Sequence, residues 1–303
     1  MEIIRGKIKK PFNVLLIGTP GIGKTSWAAS CQKPIFITAE EIDEIDAARL
    51  PQLNEFDEIF EQIDFIKKNT EEFNTVVIDT IDSLERLLHK KILGSDPKGN
   101  GSMAKAHGGY GKAYEMALTE MIRLKDELRD LRDNYNKNIV VLCHSKTKKT
   151  SDTIIGAEYD EYKTSLHDKV ESLFVDWVSA VLFANYITHL KDSDNSRDFA
   201  LGDGERIILT EKRPGHLAKN RYELPYELAM PIENPSMPFI NYYNAYYNGN
   251  IRPEHQIRES IEALLATVED KVLKEKATQA YKKANTKNEL NLIEKTLRER
   301  IGQ

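Results

Sequence analysis

The chain has 303 residues, of which 40% are hydrophobic and 30% are charged, and its formal net charge is −5. This composition predicts a folded globular protein and excludes a long disordered chain. The acidic balance provides no general attraction for nucleic acid, so any such site must come from local basic segments.

Membrane insertion and secretion are not predicted. The longest apolar run falls well short of the ~20 residues that cross a bilayer, and the first residues lack the apolar stretch of a signal peptide. Cys31 and Cys143 lie in or beside apolar segments without metal-ligand spacing, so we expect reduced core thiols. We therefore expect a cytoplasmic protein, in the host cytoplasm if it is phage-encoded, with no membrane partner.

A phosphate-binding loop is predicted between a strand-like run at 14–17 and a helix-like run at 26–30. Its sequence matches G-x-x-x-x-G-K-[ST], and a strand, a loop and a helix are the context that this motif requires. Backbone N–H groups and the helix N-terminus would hold the phosphates of a nucleoside triphosphate. The absence of an Asn-Lys-x-Asp guanine-reading motif favours ATP over GTP. Lys24 would contact the β- and γ-phosphates, and the Thr25 hydroxyl would bind Mg²⁺. The expected cofactor-binding residues are Gly18, Thr19, Pro20, Gly21, Ile22, Gly23, Lys24, Thr25 and Ser26.

Five short apolar runs predict a mainly parallel sheet that is covered on both faces, because none of them alternates with polar residues. A long amphipathic helix is predicted over 112–135, where apolar residues recur every three or four positions. The pattern predicts a doubly wound α/β fold. The runs lie at 14–17, 35–38, 75–78, 139–143 and 179–184.

Three of these runs end in polar residues that suit nucleotide chemistry. Asp79 has the position of a Walker B aspartate and would hold Mg²⁺ together with Thr25. Of the two carboxylates after the second run, we prefer Glu40 over Glu41 as the group that orients the attacking water. The alternative is that both begin an acidic, solvated helix. His144 would sense the γ-phosphate or, alternatively, only cap its strand or bond to a neighbouring residue.

Two long segments, 94–111 and 145–165, are predicted to be functional loops, because loops longer than ~12–15 residues are uncommon in compact domains. Both contain lysines, and tyrosines at 110, 159 and 162 are available for stacking on bases. A RecA-type resemblance, carried by residues 18–25, 36–40 and 218–221, implies that these loops contact single-stranded DNA. The candidate DNA-binding residues are Lys105, Lys112, Lys146, Lys148 and Lys149.

A hairpin is predicted over 206–224, with a turn at 214–216. Lys219 and Arg221 lie two residues apart on its second strand and would share one face. Two cations held in this way could complete the active site of a neighbouring subunit. The alternative is a solvated basic hairpin, or one that only touches nucleic acid.

We predict three parts of the chain: an ATPase core over 1–230, a linker or extended segment rich in Pro, Asn and Tyr over 231–253, and a helical bundle over 254–303. Two apolar stripes support the bundle: Ile257, Ile261, Leu264, Leu265 and Val268 form the first, and Leu290, Ile293, Leu297 and Ile301 form the second. A capping-box pair at Thr286 and Glu289 would begin its last helix, and Gly302 would end it. These helices are candidates for binding a protein partner.

Residues 10–228 resemble the RecA-like P-loop ATPases, and more closely the phage-encoded RecA-type proteins that anneal single strands. The resemblance depends on residues 18–25, 36–40 and 218–221, together with Asp79 and His144. It implies a RecA-like fold, ATP and Mg²⁺ as cofactors, and a ring or filament with ATP between protomers. Lys219 and Arg221 correspond to the Lys-x-Arg segment that reaches the adjacent subunit's ATP. RecA itself has Gln where this chain has His144.

Other functions remain open on the sequence. The same core occurs in replicative helicases and helicase loaders, although no N-terminal helicase-type domain is evident. A nucleotide-gated interaction module with little turnover is a further alternative. A small-molecule kinase is a weaker one, because we find no arginine-rich lid.

Overall fold

The computed structural model describes residues 3, 5–152, 156–187, 189–191, 199–201, 204–248, 254–268, 270–284 and 287–301. The strands are β1 (Asn13–Gly18), β2 (Pro34–Thr38), β3 (Ala48–Arg49), β4 (Thr75–Asp79), β5 (Asn138–Asp152), β6 (Ala157–Thr164), β7 (Ala180–Tyr186), β8 (His189–Lys191), β9 (Phe199–Leu201), β10 (Arg206–Leu209), β11 (Lys219–Asn220) and β12 (Glu227–Ala229). The helices are α1 (Lys24–Ala29), α2 (Glu58–Lys68), α3 (Ile81–Gly94), α4 (Lys112–Asp133), α5 (Asp168–Trp177), α6 (Met237–Tyr247), α7 (Glu254–Thr267), α8 (Lys271–Lys283) and α9 (Lys287–Ile301).

One large sheet organises the N-terminal part of the chain, in the order β12-β10-β7-β1-β5-β4-β2-β3. The strands from β7 to β3 are parallel to their neighbours, whereas β10 and β12 are antiparallel additions at one edge. The prediction of a mixed α/β fold with a mainly parallel sheet between helices is therefore confirmed.

The central strands are continuous apolar runs because helices cover both of their faces. In β1, Leu15 and Ile17 join the core under α2, α3, α4 and α5. Val14 and Leu16 point the other way, into the core that contains α1 and α6. All four side chains are fully buried. A strand buried on both faces does not need the alternation that a one-sided strand shows.

The carboxyl ends of the parallel strands meet at one edge of the sheet, which we call the P-loop edge. Gly18 at the end of β1 pairs with His144 of β5, and Thr38 of β2 pairs with Asp79 of β4. Ligands in open α/β sheets bind at this edge. The topology therefore brings the polar strand ends to one place.

The prediction of a loop over 145–165 is wrong, because β5 continues past the sheet and forms a long antiparallel hairpin with β6. The pairing runs from Ser145 opposite Thr164 to Asp152 opposite Ala157. Alternating Lys and Thr have no apolar stripe, so the sequence did not resemble a strand. The cross-strand backbone ladder and a hydrogen bond from the Thr150 hydroxyl of β5 to Glu161 of β6 stabilise the extended backbone instead.

The predicted hairpin over 206–224 is also wrong. β10 and β11 do not pair with each other; both pair with β7, β10 along its end and β11 along its start. The intervening segment leaves the sheet and contacts the base of the β5–β6 hairpin, where His216 bridges to Tyr162. Pro214 and Gly215 therefore lie in a loop between β10 and β11 and not in the turn of a hairpin.

The segment predicted as a linker contains helix α6, which Pro238 helps to begin. Phe239 and Tyr243 of this helix are buried against Phe12 and Trp27. Further along, α7, α8 and α9 share a separate apolar core. It contains Ile257, Ile261, Leu264, Leu265 and Val268 of the first predicted stripe and Leu290 and Leu297 of the second, and Ile293 packs against it. The side chain of Ile301 lies outside the described residues. Thr286 and Gly302 lie outside the described residues, so the proposed helix start and stop at those positions stay predictions.

Candidate functional site

The loop between β1 and α1 has the geometry of an anion-binding loop. Gly23 precedes the helix with φ of 100°, a left-handed conformation that favours glycine. The buried Lys24 ammonium donates to the carbonyls of Gly18 and Thr19, both at 3.0 Å. Burial lowers the pKa of Lys24, although the neighbouring carboxylate of Asp79 opposes this effect. Lys24 is thus folded over the loop, where phosphate oxygens would replace the two carbonyls.

Thr25 and Asp79, the two residues that we predicted to hold Mg²⁺, are in contact at the P-loop edge. The Thr25 hydroxyl donates to Asp79 Oδ2 at 2.8 Å. Asp79 is 3% exposed, and burial raises its pKa despite the hydrogen bond from Thr25. A hydroxyl beside a carboxylate is a donor set that Mg²⁺ accepts together with phosphate oxygens and water. The residues present therefore fit this ion.

Glu40 lies directly beside this pair, whereas Glu41 is exposed to solvent. Its Oε1 accepts hydrogen bonds from Thr80, at 3.2 Å, and from Ser83. The Arg86 guanidinium also donates to the same oxygen, at 3.1 Å. Glu40 therefore occupies a fixed position at the P-loop edge, and its negative charge contributes to the raised pKa of Asp79.

Asp82, which sequence analysis missed, fixes His144 in place. Its two carboxylate oxygens accept hydrogen bonds from the His144 backbone N–H and from Nδ1, each at 3.1 Å. Burial alone would raise the pKa of Asp82, but these hydrogen bonds outweigh burial and lower it. Arg86 also pairs with Asp82, at 3.1 Å. Asp82 and Arg86 are one helical turn apart just after the Walker B strand, and that spacing could have identified them.

Arg206 is a second cation that sequence analysis missed, and it lies against the phosphate-binding loop. Its guanidinium donates to the carbonyls of Ile22 and Pro231, both at 3.3 Å. A Cβ atom added to Gly23 would approach Arg206 Nη1 to 2.3 Å. No local motif could have found it, because the pairing of β10 with β7 brings it there.

The three candidate lysines of the 145–165 segment lie on β5, beyond His144. Lys146 and Lys149 are exposed, whereas Lys148 is half-buried and pairs with Asp168 at 2.6 Å. Side chains alternate across a strand, so Lys146 and Lys148 share one face of the hairpin and Lys149 lies on the other. The lysines are therefore divided between two faces.

The 94–111 segment follows α3 rather than a strand and is organised around Asp96. The backbone N–H groups of Asn100 and His107 donate to this carboxylate and lower its pKa to about 2. A short 3-10 helix spans Ala106–Gly108. The segment is thus a hydrogen-bonded loop, and its candidate DNA-binding residues, Lys105 and Lys112, are exposed.

The end of this loop and the end of the hairpin are close together. Tyr114, in the first turn of α4, stacks on His167 with ring centroids 4.3 Å apart. Lys169 of α5 also pairs with Glu115 of α4. The first turn of α4, which follows one of these segments, is therefore in contact with the start of α5, which follows the other.

Lys219 and Arg221 lie near the start of β7, at the opposite end of that strand from the P-loop edge. Lys219 pairs with Val181, whereas Gly18 pairs with Ala184. The Lys219 ammonium donates to the last carbonyls of α5, those of Val175 at 2.6 Å and Asp176 at 2.9 Å. Lys219 thus has a structural contact within its own chain, and Arg221 is the exposed cation of the pair.

Two classes of feature are not found in the described part of the chain. None of the helices there combines the length and apolar character needed to span a membrane. The same residues contain no group of three or more His, Cys, Asp or Glu side chains arranged to hold a metal ion.

Comparison with known proteins identifies the family. A comparison with curated proteins finds no similar sequence. A family model described as an AAA domain matches residues 10–222, the part that contains the phosphate-binding loop, Asp79 and His144. This match covers more than half of the chain. We conclude that the chain belongs to this AAA domain family and contains a nucleotide-binding ATPase-type domain.

Proposed function

We propose that the protein is a RecA-like ATPase that acts on single-stranded DNA in recombination or annealing, as phage-encoded RecA-type proteins do. The observation that carries this proposal is the continuity of β5. One strand passes from the buried sheet, through His144 at the P-loop edge, into the lysine-bearing hairpin. A change at the nucleotide can therefore reach the hairpin along a single rigid element.

The residues at the P-loop edge have complementary roles in this proposal. Residues 18–26 bind the phosphates of ATP, and Thr25 with Asp79 holds Mg²⁺, which neutralises charge on the phosphates when bound. Glu40 orients the attacking water, because its carboxylate is held in place by hydrogen bonds from Thr80 and Ser83. His144 responds to the γ-phosphate, since Asp82 holds its Nδ1 and fixes the ring orientation.

The proposal is tested by steady-state ATP hydrolysis with and without single-stranded DNA, using Lys24→Ala as the blank. We expect DNA to stimulate turnover and Lys24→Ala to abolish it. Lys149→Glu on the exposed hairpin should reduce the stimulation, whereas Lys68→Glu on α2 makes the same charge change away from the hairpin and should not. DNA affinity should fall steeply with salt if lysines contact the backbone. Absence of DNA binding at low salt would contradict the proposal.

A second candidate function is a nucleotide-gated assembly module with little turnover. The contact of Lys219 with the end of α5 favours it, because this contact removes one of the two cations proposed to act on a neighbouring ATP. The two candidates differ in turnover. Unstimulated or negligible hydrolysis with intact ATP binding would favour the assembly module, and a strand-displacement assay would detect a helicase-type motor.

A further inference from the structure

The C-terminal helices α8 and α9 form an open groove between them. The groove encloses about 480 Å³. Each helix contributes five residues with the same spacing, i, i+1, i+4, i+5 and i+8, so each wall presents one helix face over about two turns. These are Val272, Leu273, Lys276, Ala277 and Ala280 from α8, and Leu292, Ile293, Thr296, Leu297 and Arg300 from α9.

The floor and walls of the groove are apolar. Leu273, Ala277 and Ile293 at its base are partly buried and pack against the core of the helical bundle. Val272 and Leu292 on its walls are 62% and 64% exposed. Exposed large apolar side chains on both walls of one groove indicate a surface that another apolar element covers.

The charge around the groove is opposite to that of the rest of the chain. Residues 270–301 carry nine Lys or Arg and five Asp or Glu, whereas the whole chain has a net charge of −5. The one acidic residue that lines the groove, Asp270, caps α8 by accepting from the Val272 and Leu273 N–H groups. Lys276 and Arg300 line the groove and are exposed. Neither makes an ion pair with any residue that the structure describes.

We propose that this groove binds an acidic amphipathic helix of a protein partner. Two helical walls with matched spacing accept a third helix, whose apolar stripe fills the groove at i, i+3, i+4 and i+7. Carboxylates on the flanks of that helix pair with Lys276 and Arg300, which restrict the choice of partner. The apolar walls favour a protein over a nucleic acid, because phosphates gain nothing from contact with Val272 and Leu292.

The test uses the full-length chain and synthetic peptides of 18 residues that share one leucine stripe. One peptide carries Glu at its remaining helical positions, and the other carries Lys. Fluorescence anisotropy should show the Glu peptide binding at least about tenfold more tightly than the Lys peptide. Leu292→Glu should weaken the Glu peptide by about tenfold or more. Asn291→Glu adds the same charge to the adjacent exposed position, which does not line the groove, and should change binding less than about threefold.

Several outcomes would overturn the proposal. These are no binding of the Glu peptide, equal binding of the two peptides, and equal effects of the two substitutions. Sedimentation of the wild-type chain and Leu292→Glu tests a second copy as the occupant, because dissociation of an oligomer by this substitution would assign the groove to self-association. Loss of DNA affinity in Leu292→Glu would assign it to nucleic acid. Leu292 is largely exposed, so its replacement leaves the bundle core intact, and Val272→Glu provides an independent second variant.

Discussion

Individual side chains at the P-loop edge are fixed by neighbours that belong to different elements. Lys24 reaches back to the loop carbonyls, Thr25 reaches Asp79, and Glu40 accepts from Thr80 and Ser83. Glu40, which three donors hold, needs little reorganisation when substrate binds, which is the basis of electrostatic preorganisation.

Glu40→Gln should abolish ATP turnover and leave ATP binding intact. The amide keeps the size of the side chain and can accept the hydrogen bond from Thr80. It cannot act as a general base that accepts a proton from the attacking water. Turnover and binding of a fluorescent ATP analogue measure the two effects separately. Glu41→Gln is the matched control, since Glu41 is exposed and should leave both properties unchanged. Full activity of Glu40→Gln would instead indicate that turnover does not depend on this carboxylate.

Glu85 should make stability depend on pH. Its carboxyl is 5% exposed, and burial raises its pKa from 4.5 to about 7, although the N–H of His167 opposes this. Between these values the folded chain binds more protons than the unfolded chain, so the free energy of unfolding should decrease as pH rises and level off above about pH 7. The decrease should be at most about 3 kcal/mol.

Urea unfolding from pH 4.5 to 8 measures this effect. Glu85→Gln should lack the slope and be more stable than the wild type at pH 8, because no buried charge forms. Glu61→Gln on the exposed face of α2 should retain the slope. An identical slope in Glu85→Gln would show that other groups cause the dependence.

At the scale of elements, helix α5 contacts both the β5–β6 hairpin at its start and strand β11 at its end. Lys148 of β5 pairs with Asp168 in its first turn, and Lys219 binds its last carbonyls. Cations at a helix C-terminus interact favourably with the helix dipole. The basic segment near β11 therefore stabilises the element that follows the hairpin.

Lys219→Met should destabilise the fold by about 1 kcal/mol, because two helix carbonyls lose a charged donor. Arg221→Met is the control, since its exposed guanidinium makes no such contact within the described residues. Chemical denaturation of the two variants compares them directly. Equal stability of the two variants would remove the structural role assigned to Lys219.

At the scale of the whole molecule, the position of Arg221 decides whether sites are shared. It lies near the start of β7, away from the P-loop edge of its own chain. In an assembly, a neighbouring subunit would have to supply this cation if Arg221 acts on ATP.

Arg221→Ala should abolish turnover and recover part of it when mixed with Lys24→Ala. In the mixed assembly, some interfaces combine an intact phosphate-binding loop from one variant with an intact Arg221 from the other. Hydrolysis rates over a range of mixing ratios measure this recovery. A mixture that stays inactive while still assembling would rule out shared sites.

Features with a local sequence signature were predicted from the sequence, whereas the pairing of polar strands was not. The phosphate-binding loop and the apolar parallel strands were predictable, because a glycine loop before Lys24-Thr25 and doubly buried strands have local signatures. The β5–β6 hairpin was not, because its strands are polar and their pairing depends on cross-strand partners. Helix α6 was hidden by the many Asn, Pro and Tyr residues around it and is stabilised by packing against Phe12 and Trp27.

The sequence by itself determined the chemistry of the P-loop edge: the loop at 18–25, the aspartate at 79 and the acidic pair at 40 and 41. A local motif encodes the loop because a phosphate is bound by several groups from one short segment. The acidic residues were recognisable because each follows a short apolar strand. Only the tertiary structure decided which partners they meet. Asp82 fixes His144, Arg86 reaches Glu40, and Arg206 lies on the loop, because strand order and register bring together residues that are distant along the chain.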